Sequence, residues 1–327
     1  MMFTTVLRPA LLAASRSPRV EKTVTGMTST RKVVRRFVAG ETEEQAATVT
    51  EALLASGRYA SIDYLGEDTT DIERARATVS HYLSLLETFG ELPGSAGAVR
   101  PLEVSLKLSA LGQSLPRDGH AIALEHAHKI CTAASAAGVW VTVDAEDHTT
   151  TDSTLSVVRA LREDFPWVGT VLQAYLLRTE GDCRDMAGPG SRIRLCKGAY
   201  REPAGVAYPD RDEVDASYLR CLDILMNGQG YPMVATHDPV MLEAAARYIR
   251  AVPGNDLEVR REPDRFEFQM LYGIRDEEQR RLVAEGAHLR TYVPYGDQWY
   301  GYFMRRLAER PANLAFFLRS FGPGARR

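Results

Sequence analysis

The stretch WVTVDAEDHTTTDSTLSVVRALREDFPWVGTVLQAY, residues 140–175, contains one full structural repeat. Its β-rich start, Trp140–Asp144, gives way to a helical pattern over Leu155–Asp164, and a second β-rich run follows at Thr170–Tyr175. Two strands joined by a helix are expected to lie parallel, because the crossover carries the chain back to the starting edge. Working outward, the same alternation recurs. Further strand candidates are Ser61–Leu65, Glu103–Leu108, Arg192–Lys197, Met233–His237, Phe266–Leu271 and Leu289–Val293. Helical patterns span Ala121–Ala137, Val214–Asn227, Val240–Ala251 and Glu277–Glu285, with Gly138 and Gly228 as stops. About eight such strands close a (β/α)8 barrel. The rival open sheet would carry a Gly-rich turn after its first strand, and no GxGxxG or GxxxxGK[ST] occurs.

Arg35–Arg58 reads as an extra helix before the barrel, and Tyr300–Leu318 as a last helix broken near Pro311. The expected organisation is therefore an N-terminal helical segment over 1–58 and one barrel domain over 59–327. Met1–Arg19 has Arg8, Arg16 and Arg19 and no acid, which suits either a weak transit-type segment or an ordinary helix begun at Pro9.

The 327 residues, 45% of them hydrophobic, suffice for one large core. A formal net charge of −3 gives no electrostatic reason to expect nucleic acid. Cys131, Cys183, Cys196 and Cys221 form no CxxC pair and read as reduced thiols, which makes the cytoplasm the expected compartment. No apolar run approaches the roughly 20 residues of a membrane span, so any membrane contact is expected to be peripheral, at the inner face.

In such a barrel the chemistry belongs at the carboxyl ends of the strands. Charged and polar residues crowd there: Asp63 and Glu67, Lys107, Asp144 and Glu146, Gln173, Arg194 and Lys197, His237, Glu267 and Gln269, and Tyr292. Ion pairs inside the barrel account for one or two of these, but not easily for all. Lys107, in the alternating run VSLKL, is either a ligand or half of a buried pair. Asp144, Glu146, Asp147 and His148 offer metal donors, though near-adjacent residues rarely converge on one ion. His237 is either functional or, with Asp238, a cap on the next helix. Arg305 and Arg306 are either a solvated face or a clamp whose guanidinium forks would grip a carboxylate. The aromatic run from Tyr292 to Tyr302 is at least partly packing.

Taken in order, the words RFVAGET (36–42), DYLGE (63–67), SLKLSALG (105–112), VDAED (143–147), LQAYL (172–176), RLCKGAY (194–200), ATHDP (235–239), FEFQMLYG (266–273), RTYVPYG (290–296) and RRLAERPAN (305–313) resemble the proline dehydrogenase family. The resemblance implies a distorted α/β barrel of the (β/α)8 TIM type with N-terminal helices and non-covalent FAD at the strand ends. It implies oxidation of L-proline to Δ1-pyrroline-5-carboxylate, with hydride passing from substrate C5 to flavin N5 and electrons going on to a quinone.

Carried over position by position, Ala145, Gln173, Arg194, Lys197, Gly198, Ala199, Thr236 and His237 are the implied FAD contacts. Lys107, Tyr292, Arg305, Arg306 and Leu271 are the implied proline pocket, and Asp144 and Arg194 the catalytic pair. Cys196 departs from the family, which commonly has an apolar residue such as valine there, and residues 1–35 match none of its words. The residues after the last helix leave no room for the NAD-dependent domain of the fused enzymes, so a separate pyrroline-5-carboxylate dehydrogenase is the expected downstream partner. The competing readings are a metal-dependent barrel hydrolase or lyase built on Asp144, Glu146 and His237, and a non-catalytic barrel that binds partners.

Overall fold

A capping box starts the helix that leads into the barrel: the Thr42 side chain accepts from the Gln45 backbone N–H, and the Gln45 side chain accepts in return from the Thr42 N–H. That helix, α1, spans Glu43–Ala55 and is shorter than the Arg35–Arg58 reading, because the box sets its start. The computed structural model describes residues 34–92, 99–248 and 263–309, with the side chains of residues 263 and 305–309 excluded.

Among the described residues eight strands follow: β1 Tyr59–Tyr64, β2 Leu102–Leu106, β3 Trp140–Val143, β4 Gly169–Gln173, β5 Arg192–Cys196, β6 Tyr231–Ala235, β7 Glu267–Leu271 and β8 Leu289–Tyr295. Each pairs in parallel with the next, and β8 returns to β1, so the sheet closes on itself. The fold class expected from the sequence, a (β/α)8 barrel, is the one observed. The later helices are α2 Ile72–Gly90, α3 Gly119–Ala137, α4 Thr151–Asp164, α5 Thr179–Met186, α6 Arg211–Asn227, α7 Pro239–Ala246, α8 Asp276–Ala284 and α9 Trp299–Glu309. Helices α2 and α5 are additions to the patterns singled out from the sequence. Helix α7 ends at Ala246, capped at Arg247, short of the expected Ala251, while residues 249–251 and the expected break near Pro311 lie outside the described residues.

The core lies between barrel and helices, where Ile62, Val104, Val141, Ile193 and Val293 meet helix residues such as Leu85, Ile130, Val158 and Leu222, all buried. The barrel interior is ionic instead. Glu103 is completely buried and accepts from Ser61 Oγ at 2.6 Å, Thr142 Oγ1 at 2.9 Å, Arg194 Nη2 at 2.6 Å and Arg192. Burial alone would raise its pKa, yet Arg192, Arg194 and Arg290 hold it well below the usual carboxylate range. Glu267 pairs with Arg290 at 2.8 Å. Buried ions of this kind are tolerated when their donors and acceptors are paired.

Residues before β1 are packed onto the barrel. Val34, Phe37 and Val38 share an apolar cluster with Leu65, Ile274 and the α9 residues Trp299 and Phe303. The Arg36 carbonyl lies so close to Gly273 that an added Cβ would sit 1.6 Å from it, and Gly273 also has φ +72. This is why the RFVAGET and FEFQMLYG words, more than 200 positions apart, belong to one structure.

Candidate active site

A cleft of about 510 Å³ opens where the strands end, within the range of small-molecule and cofactor sites. Its lining includes the expected substrate residues Lys107, Leu271 and Tyr292, with Asp144 and Arg194. It also includes the expected cofactor residues Ala145, Gln173, Lys197, Gly198, Ala199, Thr236 and His237. Arg305 and Arg306 lie on α9, but their side chains fall outside the described residues.

One wall is a chain of ionisable groups from β1, β2, β3, β5 and β8. Lys107 Nζ donates to Asp63 Oδ1 at 2.5 Å and lies 3.5 Å from the Tyr292 hydroxyl and 3.9 Å from Asp144 Oδ2. The Tyr292 hydroxyl donates to Asp144 Oδ2 at 2.7 Å, and Arg194 Nη1 donates to Asp144 Oδ1 at 2.6 Å. Burial raises the Asp144 carboxyl above its ordinary range, with Arg194 and Lys107 opposing the rise. Burial also penalises the Lys107 ammonium, but Asp63 and Asp144 outweigh it and the pKa moves up, so this lysine stays charged.

Arg194 is the centre of that wall. Its Nε donates to Gln269 Oε1 at 2.5 Å, Nη1 to Ser105 Oγ at 3.0 Å and Asp144, and Nη2 to Ser61 Oγ at 3.1 Å and Glu103. All five guanidinium N–H groups are therefore committed to protein acceptors. Its carbon lies 5.3 Å from the Tyr292 ring centroid, within cation–π range. What it offers the cleft is a fixed positive charge.

The other wall is built at the β5, β6 and β7 ends. Lys197 Nζ donates to Asp238 Oδ2 at 2.7 Å and pairs with Asp215. Gly198 has φ +114, and a Cβ there would fall 2.3 Å from the Tyr175 ring, so only glycine lets the main chain lie against that ring. Gln173 Nε2 donates to the Glu146 carbonyl at 2.8 Å. His237 Nε2 accepts from the Leu271 N–H at 2.9 Å, which fixes the neutral ring with its proton on Nδ1. The cap on α7 is Asp238, which accepts from Val240 N, so the capping alternative belongs to that residue and not to His237.

The residues that raised the metal alternative separate. Glu146 accepts from Ser109 N at 3.1 Å and from Ser109 Oγ at 2.5 Å, while His148 turns to Glu202. Among the described residues no group of three His, Cys, Asp or Glu side chains is placed to hold a metal ion. Burial pushes the Glu146 carboxyl up to about 7. Asp63, Gln269 and Tyr200 also line the cleft without having been given a role from sequence. Asp63 had a readable signal: it sits beside Ser105 on the neighbouring strand, and an inward lysine two positions on needs a buried partner.

The family described as proline dehydrogenase matches residues 46–319. "Proline dehydrogenase 1" of Bacillus subtilis is 39% identical over 292 residues, covering 89% of this chain and 91% of that protein. "Proline dehydrogenase" of Deinococcus radiodurans is 37% identical over 325 residues, covering 99% of this chain and 100% of that one. The solved structure of proline utilization A from Bdellovibrio bacteriovorus superposes with a TM-score of 0.76 at 24% identity, a likeness of fold. It covers 90% of this chain, which spans about a third, 34%, of that longer protein. With a closed eight-stranded barrel, a polar cleft at its strand ends and matches over nearly the whole length, the chain belongs to the proline dehydrogenase family, enzymes that oxidise proline.

Proposed function

We propose that this enzyme holds FAD non-covalently in the strand-end cleft and oxidises L-proline there to Δ1-pyrroline-5-carboxylate. The observation that carries the reading is the division of one cleft into two walls, the Lys107–Asp144–Tyr292–Arg194 cluster and the Lys197–Gly198–Thr236–His237 side. The second wall fits a flavin dinucleotide by its donor set. Gly198, packed on the Tyr175 ring, brings main chain to the cleft, while Lys197, shared with Asp215 and Asp238, and Arg211 are cations suited to a diphosphate. Bound flavin would accept the hydride, and with it both electrons, that leaves the substrate carbon.

The protein's own residues do the rest. Lys107, with the clamp assigned by resemblance to Arg305 and Arg306, attracts the proline carboxylate, and Tyr292 and Leu271 bracket the ring. Asp144, raised by burial, is suited to take a proton from the substrate ammonium at Oδ2, with Tyr292 already donating to that oxygen. The freed nitrogen lone pair then forms the C=N bond as the C5–H bond breaks. Arg194, fixed by five hydrogen bonds, favours negative charge arriving on the cofactor. Orientation of this kind is able to contribute about 7–11 kcal/mol to lowering a barrier.

A quinone is the proposed onward acceptor, and a separate pyrroline-5-carboxylate dehydrogenase the proposed consumer of the product. No helix among the described residues is long and apolar enough to cross a membrane, so contact with a membrane-held quinone would be peripheral. The test is turnover with L-proline and a quinone analogue, with the cyclic imine trapped by o-aminobenzaldehyde. Formation of the trapped product, dependent on added FAD in flavin-depleted protein, is expected. Proline-independent reduction of the acceptor, or no imine, would reject the reading.

A further inference from the structure

The segment joining β5 to α6, residues 197–210, has no regular secondary structure; Lys197, Gly198, Ala199 and Tyr200 line the cleft, and Arg201, Pro203, Ala204 and Gly205 are all exposed. Amid them the Glu202 side chain is only 3% exposed. A carboxylate drawn inward from an exposed segment needs compensating donors, and this one has three. Glu202 Oε1 accepts from the His148 backbone N–H at 3.0 Å and from the Tyr175 hydroxyl at 3.1 Å, and Oε2 lies 2.5 Å from His148 Nδ1. His148 opens the short 3-10 turn after β3, and Tyr175 follows β4, so one side chain ties the segment to two strand ends.

The tie leads to the cleft. The Tyr175 ring is the surface against which Gly198 is pressed, its backbone N–H donates to the Lys197 carbonyl at 2.9 Å, and its carbonyl accepts from Tyr208 N at 2.8 Å. A second anchor lies further along, where Leu177 N donates to the Val206 carbonyl at 2.9 Å beside the Leu176–Ala207 bridge. Burial raises the Tyr175 hydroxyl pKa well above its usual value, with Glu202 adding to the rise, so the phenol remains the donor. The order of contact is Glu202 to the Tyr175 hydroxyl, the Tyr175 ring to Gly198, and Gly198 with Ala199 to the cleft.

We propose that Glu202 is a positioning residue that straps residues 197–210 to the ends of β3 and β4 and so sets the affinity of the Gly198–Ala199 main chain for the flavin. This rests on the flavin reading above. Replacing the three acceptor contacts by an apolar side chain, Glu202→Leu, should free the strap and weaken FAD binding at least tenfold, about 1.4 kcal/mol. Glu202→Gln should stay near wild type, because the amide oxygen keeps the His148 N–H and Tyr175 contacts and the amide N–H donates to a neutral His148 Nδ1. Tyr175→Phe removes one link alone and should weaken FAD binding about threefold, well under the 1.4 kcal/mol of a tenfold change. It also keeps the proposal testable should Glu202→Leu fail to fold.

The experiment measures FAD dissociation from full-length holoenzyme by recovery of flavin fluorescence on dilution, and amide hydrogen exchange across residues 198–208 in the same samples. Faster exchange together with weaker FAD binding in Glu202→Leu and Tyr175→Phe, with Glu202→Gln close to wild type, is the expected result. Faster exchange at unchanged FAD affinity would overturn the role assigned to Glu202, as would exchange that does not respond. Failure of the wild-type protein to retain any FAD would instead strike the flavin reading itself, and is seen before any variant is compared.

Discussion

Replacing Lys107 by methionine keeps an unbranched apolar stem and removes the ammonium. Asp63 is completely buried, and its Oδ2 has no hydrogen-bond partner among the described residues, so Lys107 Nζ at 2.5 Å from Oδ1 is its counterion. Leaving a buried carboxylate unpaired typically costs about 3–5 kcal/mol. With an unfolding entropy near 2.1 cal/mol/K per residue, a chain of 327 residues loses roughly 4–7 °C of melting temperature for that change. Differential scanning calorimetry of Lys107→Met should show this drop. Adding Asp63→Asn removes the stranded charge and should restore about 2 kcal/mol or more, the signature of two coupled neighbours. The substrate effect should not be restored: both the single and the double variant should raise KM for proline at least tenfold, about 1.4 kcal/mol. An unchanged melting temperature in Lys107→Met, or a second mutation that simply adds to the damage, would refute the ion-pair argument.

Other outcomes follow from the same geometry. The Glu146 carboxyl lies at about 7 in the folded protein against an ordinary 4.5, so the native state holds the extra proton. Its stabilising contribution is fully present below about 4.5 and lost as pH rises through about 7, so wild type should lose on the order of 3 kcal/mol relative to Glu146→Gln over that window. Thermal melts of both proteins across the window check it, and parallel curves would refute it. Gly198→Ala places a Cβ 2.3 Å from the Tyr175 ring at φ +114, and flavin titration should show FAD affinity at least tenfold weaker, about 1.4 kcal/mol. Wild type should prefer L-proline over trans-4-hydroxy-L-proline by a margin that reaches about 100-fold, and Tyr292→Ser should narrow it. Comparison of kcat/KM for both substrates decides, with an unmoved ratio removing Tyr292 from the pocket.

The barrel was legible because each strand is a short β-rich run followed by helix-forming sequence, and because the strands end in charge. WVTV and GTVLQ are both strands of the closed sheet. Helix α2 carries a helical apolar period at Ala75, Val79, Tyr82, Leu86 and Phe89 that was available in the sequence and not singled out. Helix α5, at eight residues with four of them charged, is too short to show a period. The cleft residues could be named from the ordered words, but their partners could not. That Arg194 is saturated by Ser61, Glu103, Ser105, Asp144 and Gln269 depends on five strands meeting, a fact of closure rather than of local pattern. Glu202 looks like one more exposed loop acid, since its burial is made by His148 and Tyr175, 54 and 27 positions away.

The central claim is that the strand-end cleft brings proline and flavin together for direct two-electron transfer. Its most direct test is anaerobic mixing of FAD-loaded protein with L-proline in a stopped-flow spectrometer. The account expects the oxidised-flavin band to bleach in a single turnover, at a rate that saturates with proline and slows when both C5 hydrogens are replaced by deuterium. A flavin that stays oxidised under excess L-proline, or a bleaching rate indifferent to deuterium at C5 and slowed instead by deuterium at C2, would contradict it.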